Sequence, residues 1–123
     1  MSKDLTLPGP GMPVIDENRL MREFGGDEEI LAELRDLFLD HAPPLYEAIV
    51  KAVEAGDCES LVKDAHSFKG ACATYGAPRL AHVCKEFETW AKEGDLDSVQ
   101  THLGCLENEY RAVFEALGSI GVG

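Results

Sequence analysis

Apolar residues recur every three or four positions along most of the chain, which is the spacing of one buried face of an α-helix. The first long helix is predicted to begin after Asp27 and to end at Gly56. Its apolar positions are Leu31, Leu34, Phe38, Leu45, Ile49 and Ala52. The pair Pro43–Pro44 lies inside it, and because proline lacks a backbone donor and clashes with the preceding turn, we expect a kink or a break there.

Three further long helices are predicted from the same period and from their boundary residues. They run from Asp57 to about Thr74, from Pro78 to the residue before Gly94, and from Asp95 or Asp97 to the residue before Gly118. Their buried stripes are Leu61, Ala65, Phe68, Cys72 and Tyr75; Leu80, Cys84, Phe87 and Ala91; and Val99, Leu103, Leu106, Tyr110, Val113 and Leu117. No segment shows the alternation that is typical of a β-strand.

The N-terminal part of the chain has a weaker pattern. Asp16 is a candidate cap for a short helix that carries Leu20 and Phe24 and ends at Gly25–Gly26. Residues 1–13 contain three prolines and two glycines and little periodicity, so we interpret them as a flexible leader. Residues 14–123 are then predicted to form one domain.

Four amphipathic helices joined by connections of a few residues place sequential neighbours antiparallel and bury their stripes together. The predicted fold is therefore all-α, an up-and-down antiparallel four-helix bundle with a short additional N-terminal helix at one end. A chain of 123 residues is long enough for one such core and too short for two ordinary domains.

The charge balance limits the classes of partner that the protein is expected to bind. The chain has 23 acidic and 11 basic residues, a formal net charge of −12. Such a field repels nucleic-acid backbones and anionic lipid headgroups, so we expect protein partners, with no nucleic acid and no membrane. No apolar run approaches the roughly 20 residues of a membrane span, and a cytoplasmic monomer is predicted.

The four cysteines are predicted to be reduced, because most of them fall at core or near-core positions of helices. No two of them are spaced as a zinc pair, so no metal site is predicted.

One helix carries an outer face that stability alone does not explain. His66 lies well away from the buried stripe of its helix, with Lys63, Gly70 and Ala73 on the same side and Lys69 at the flank. A glycine inside an exposed helix costs roughly 1 kcal/mol relative to alanine. Either the glycine is merely tolerated, or it clears space for a partner to approach His66.

An exposed imidazole is a candidate nucleophile, because at cytosolic pH much of its population is neutral and keeps a free nitrogen lone pair. Phosphoryl transfer also needs compensation of negative charge, which Lys69 and Lys63 would supply. The chain shows no phosphate-binding glycine loop and no carboxylate set for a metal. Autonomous kinase activity is therefore not expected. For His41, His82 and His102, which are scattered over other predicted helices, no shared site is predicted.

The stretch from Ala65 to Gly76 resembles the signature of histidine-phosphotransfer (HPt) domains of two-component phosphorelays. The shared pattern is a histidine, a lysine three residues on, a glycine four on and a second glycine ten on. The similarity continues through Leu80 to Asp95 and includes the upstream segment from Phe24 to Pro43. The paired prolines depart from it, since a single proline is commoner there.

The resemblance implies a role for each matching residue. His66 would accept the phosphoryl group, Lys69 would stabilise it, and Gly70 would provide clearance, while Glu88 occupies a position from which a polar side chain can orient the imidazole. The implied partners are response-regulator receiver domains, a hybrid sensor kinase, or both. The chain would need no cofactor, because Mg²⁺ would be bound by the partner receiver.

Two alternatives remain beside a phosphorelay intermediate. One is a helical adaptor that docks partners without being phosphorylated. The other is the phospho-accepting domain of a larger sensor kinase or chemotaxis-type kinase.

Overall fold

The computed structural model describes residues 14–16, 22–23, 25 and 28–119, and every structural statement concerns these residues. They form α1 (Glu28–Ala55), α2 (Cys58–Thr74), α3 (Pro78–Lys92), α4 (Leu96–Thr101) and α5 (Leu103–Ser119). The described part of the chain contains no strand, as predicted. The leader and most of the predicted short helix, including Leu20 and Phe24, lie outside the described residues.

The four long helices close into one bundle. α2 packs between α1 and α3, and α5 packs against both α3 and α1. The predicted stripe of α2 is buried in full, and so is that of α3. From α5, Leu106, Val113 and Leu117 complete the core, while Leu103 and Tyr110 are half-buried at its edge. The predicted all-α four-helix bundle is confirmed.

The two prolines do not break α1. The helix is continuous over 28 residues with Pro43 and Pro44 inside it, so of the two outcomes expected there, a kink or a break, the break is excluded. Phe38 on one side of the pair and Ile49 on the other are both fully buried. Most helical stability in a protein comes from packing of the apolar face. The bundle therefore keeps the two halves in one helix despite the missing backbone donors.

The last predicted helix is in fact two helices, α4 and α5, separated at His102. The imidazole of His102 lies against Trp90, with ring centroids 5.1 Å apart, and its Nδ1 is 2.8 Å from the carbonyl oxygen of Ser98. These contacts hold His102 at the end of α4. The apolar stripe continues across the break, so periodicity did not reveal it.

Asp57 and Asp95 cap α2 and α4 in the same way. Each aspartate accepts from the backbone amide of the serine three residues on, Ser60 or Ser98, at 3.1 Å, and also from that serine's hydroxyl. The hydrogen bonds from Ser60 hold the pKa of Asp57 below its usual value. Both caps agree with the boundaries predicted from the sequence.

A buried ion pair connects the start of α3 to α5. The guanidinium Nη2 of Arg79 donates to Oε1 of Glu109 over 2.7 Å, and only 10% of the Glu109 side chain is exposed. Two further atoms of the pair, Nε of Arg79 and Oε2 of Glu109, are buried without a hydrogen-bond partner. The pair therefore matters mainly because removing Arg79, whose side chain is 31% exposed, would leave the nearly buried Glu109 carboxylate without its cation.

We expect Arg79→Ala to lower the free energy of unfolding by about 3 kcal/mol, because it leaves the Glu109 carboxylate buried without its cation. Arg111→Ala is a matched control, since Arg111 also bonds a glutamate, Glu107, over 2.7 Å, but with both side chains largely exposed. That variant should lose less than about 1 kcal/mol. Urea titration measures both, and equal losses would argue against a special role for burial.

Candidate functional site

The outer face of α2 carries an exposed histidine. The His66 side chain is 66% exposed, whereas Leu61, Ala65 and Phe68 of the same helix are fully buried. Lys63, Gly70 and Ala73 are also exposed, as the helical periodicity predicts. The predicted site residues of α2 therefore share one accessible face, and Lys69 lies half-buried at its border with α3.

Glu88 of α3 is the centre of the site. Both of its carboxylate oxygens lie 3.3 Å from Nδ1 of His66. Nζ of Lys69 donates to Oε1 over 2.8 Å, and Nζ of Lys92 lies 3.1 Å from Oε2. These four residues, His66, Lys69, Glu88 and Lys92, are called the Glu88 cluster below. The sequence placed Lys69 at the flank of the His66 face, and in the structure the two side chains meet through Glu88.

The lysines explain why a carboxylate is tolerated at a nearly buried position. The Glu88 side chain is only 9% exposed, and burial of an unpaired charge is strongly unfavourable. The hydrogen bond from Lys69, followed by those from Lys92 and His66, lowers the pKa of Glu88 from 4.5 to about 2, although burial acts in the opposite direction. Glu88 is therefore an anion at neutral pH.

An ionised carboxylate accepts hydrogen bonds and cannot donate them. The imidazole nitrogen that faces Glu88, Nδ1, must therefore carry the hydrogen. In a neutral ring the other nitrogen, Nε2, then keeps the lone pair. The cluster thus selects one tautomer of His66 and leaves Nε2 as the nucleophilic atom of a largely exposed ring.

Gly70 is not required by packing. A Cβ atom built on it would meet nothing within 4 Å, and the residue lies in a regular part of α2. The fold therefore gives no steric reason for a glycine one turn after His66. This observation favours the hypothesis that the space above Gly70 serves an approaching partner.

A shallow groove of about 360 Å³ lies beside the cluster, between α2 and α3. It is bordered mostly by small side chains and by three basic ones, Lys69, His82 and Lys85. Its other lining residues are Asp16, Ala73, Gly76, Ala77, Pro78 and Ala81. The groove extends the accessible face of α2 toward its C-terminal end.

Lys92 is the member of the site that sequence reasoning missed. It follows Glu88 by four residues on α3, which is the spacing of neighbours on a helix surface. That spacing was a usable signal once Glu88 had been selected. The other histidines do not join the site, since His41 contacts the Tyr75 hydroxyl and His82 faces Glu86.

No group of three or more His, Cys, Asp or Glu side chains among the described residues is arranged to hold a metal ion. All four cysteines are free thiols, and burial raises the pKa of Cys84 well above its usual value. No helix in this part of the chain combines the length and apolar character needed to cross a bilayer.

Acidification is expected to remove the stabilisation that Glu88 provides. Since its pKa is lowered on folding from 4.5 to about 2, the stabilisation is complete above the unfolded value and is lost as the pH falls from about 5 to about 2. The measurement is the free energy of unfolding of wild type minus that of Glu88→Gln, from urea titrations over this pH range. A difference that does not shrink would contradict the ion-pair assignment.

The chain is similar to proteins of one family. The Hpt domain family model matches residues 33–116. The phosphorelay protein LuxU of Vibrio vulnificus is 29% identical over 89 residues, which cover 72% of this chain and 76% of LuxU. The sensor histidine kinase GacS of Pseudomonas protegens is 28% identical over 109 residues, which are 84% of this chain but only 12% of GacS.

The fold comparison agrees with the sequence comparison. The crystal structure of histidine-containing phosphotransfer protein B (HptB) from Pseudomonas aeruginosa PAO1 superposes with a TM-score of 0.81 at 29% identity. The match covers 89% of this chain and 95% of HptB. With a family model that spans all four long helices, and an exposed histidine at the matching motif, the chain belongs to the Hpt domain family of phosphotransfer proteins.

Proposed function

We propose that this protein is a phosphorelay intermediate that accepts a phosphoryl group on Nε2 of His66 and passes it on. The donor is the phospho-aspartate of a receiver domain, and the acceptor is the aspartate of another receiver. The observation that carries the proposal is the 66% exposed imidazole whose Nδ1 is held by the Glu88 carboxylate. Such a ring presents a nucleophile to solvent in a defined orientation.

The transfer step follows from this geometry. The Nε2 lone pair attacks phosphorus, the P–O bond to the receiver aspartate breaks, and the aspartate leaves as a carboxylate. The hydrogen on Nδ1 stays in place, so the phosphorylated ring carries a positive charge next to the Glu88 anion. The reverse sequence of the same events delivers the group to the next receiver. No general base is required, because the attacking nitrogen has no hydrogen to lose.

Glu88 is then a positioning residue rather than an obstacle. An acid beside a phosphoryl group would repel it, but Glu88 carries one negative charge between two lysine ammonium groups, Lys69 and Lys92. The three side chains together are positive. This local sign is the opposite of the formal net charge of −12 of the whole chain. The cluster therefore offers a favourable site for an incoming anion.

The remaining parts of the proposal concern the partner. Gly70, Ala73 and Lys63 form the docking face for the receiver, since they share the exposed side of α2 with His66. Mg²⁺ is supplied by the receiver, and the chain transfers phosphate without kinase activity of its own. A cytoplasmic location and a monomeric state remain predictions from the sequence.

The similarity to a segment that makes up 12% of the sensor histidine kinase GacS supports one alternative. In that alternative the chain is the phospho-accepting domain of a larger sensor kinase. A helical adaptor that is never phosphorylated is a weaker proposal, because it gives no role to the tautomer that Glu88 imposes on His66.

Substitution of the nucleophile tests the proposal most directly. A receiver phosphorylated with radioactive phosphate is expected to label the wild-type protein with acid-labile phosphate, and His66→Gln should abolish the label while the bundle stays folded. His82→Gln is the matched control, because it removes a histidine next to the groove without touching the cluster. Labelling that persists in His66→Gln would refute the site, and receiver binding indifferent to His66 would favour the adaptor.

Gly70→Ala is expected to increase the stability of the fold and to decrease the rate of phosphotransfer. The substitution is expected to raise the free energy of unfolding by up to about 1 kcal/mol, because it removes a helix-interior glycine. Transfer from a receiver should slow by about tenfold or more, because the methyl group occupies the space through which the partner approaches. Gly104→Ala in α5, which also meets nothing within 4 Å, should leave the rate unchanged. Unaltered transfer in Gly70→Ala would remove clearance from the mechanism.

A further inference from the structure

Lys92 has no role in the function proposed so far beyond adding charge. Its ammonium lies 3.1 Å from Oε2 of Glu88, and its side chain is 61% exposed. Lys69 occupies the other oxygen, Oε1, at 2.8 Å and is 32% exposed. The carboxylate thus has one lysine on each oxygen, one from α2 and one from its own helix.

The two ion pairs of Glu88 restrict how Lys69 can move when the phosphoryl group arrives. Lys69 follows His66 by one turn of α2, so we expect its ammonium to meet a phosphoryl group on Nε2. To do so, its ammonium must leave Oε1. The Glu88 side chain is only 9% exposed, and a buried carboxylate that loses its cation is strongly disfavoured. Release of Lys69 before transfer is therefore opposed unless another cation stays behind, since the imidazole becomes a cation only when it is phosphorylated.

We propose that Lys92 is a positioning residue that remains on Oε2 of Glu88 and so allows Lys69 to move from Oε1 to the phosphoryl group. The inference rests on the function proposed above and deepens it. Lys92 acts through Glu88 and Lys69 and does not contact the phosphoryl group itself. Because Lys92 is paired with Glu88 at i,i+4 spacing, it keeps the carboxylate in place without any rearrangement of the helices.

The chain offers a matched control for the charge of Lys92. Lys85 is also an exposed lysine of α3. It precedes Glu88 by three residues, so it lies about one turn before Glu88 along the helix, whereas Lys92 lies about one turn after it. It borders the groove together with Lys69. A general effect of positive charge on an incoming anion would depend on Lys85 in the same way as on Lys92. Of the two lysines, only Lys92 is expected to change the labelling rate in a way that depends on Glu88.

The experiment measures phosphorylation of His66 by phosphoramidate, a small donor that needs no receiver. Nε2 attacks the phosphorus, the P–N bond of the donor breaks, and ammonia leaves. The rate is compared for Lys92→Gln, Lys92→Arg and Lys85→Gln, each in the wild-type protein and in Glu88→Gln. In the Glu88→Gln background there is no buried anion, so Lys69 needs no substitute when it moves.

Lys92→Gln is expected to slow labelling about three- to tenfold when Glu88 is present, as the loss of one charge-assisted hydrogen bond would. It should have no effect in the Glu88→Gln background. Lys92→Arg should keep most of the rate, because it retains the ion pair. Lys85→Gln should change the rate by the same factor in both backgrounds.

Several results would overturn the inference. One is that Lys92→Gln slows labelling as much in the Glu88→Gln background as in the wild-type protein. That result would indicate that Lys92 contacts the phosphoryl group directly or acts through its general electrostatic field. Another is a rate that does not depend on Lys92, or a lack of phosphoramidate labelling of the wild-type protein. Failure of a receiver to label the protein is a separate outcome. It would refute the relay proposal, while the phosphoramidate reaction would still test Lys92.

Discussion

The carboxylate of Glu88, nearly buried between α2 and α3, is the interaction on which the site depends. It holds Nδ1 of His66 at 3.3 Å and receives Lys69 and Lys92 on its two oxygens. A surface ion pair would contribute little, because water competes with it. Here burial makes at least one lysine necessary to Glu88, since a carboxylate without any cation at this position would be strongly unfavourable. The exposed histidine is oriented by a constraint that comes from the interior.

That constraint is maintained by the register of α3 against α2. Both helices contribute fully buried residues, such as Phe68 and Phe87, to the common core. Gly76, with a φ of 71°, makes the tight turn between them, and the amide of Ala77 donates to the carbonyl of Cys72 over 2.8 Å. The ion pair of Arg79 and Glu109 then connects the start of α3 to α5. A shift of α3 along its axis would separate Glu88 from His66. The core packing that fixes this register therefore also fixes the geometry of the site.

The face of α2 around His66 has two features that core packing does not require. Gly70 adds nothing to packing and lowers helix propensity, yet it leaves open space beside the imidazole. The Glu88 cluster is locally positive on a chain with a formal net charge of −12. Gly70 is unfavourable for the isolated helix, and both features are useful to a protein that receives a phosphoryl anion from another domain. Their position next to the exposed imidazole of His66 is what connects the fold to the proposed phosphotransfer.

The sequence by itself determined the helical class, the cap at Asp57 and the exposed position of His66, because these follow from periodicity and local hydrogen bonding along one segment. It left Asp95 and Asp97 as alternatives for the later cap, of which the structure has Asp95. Tertiary packing decided what local rules could not. It kept α1 continuous through Pro43–Pro44, and contacts of His102 with Ser98 and Trp90 divided the last helix. It also brought Glu88 and Lys92 to His66, since contacts between helices depend on their relative register, which no single helix encodes.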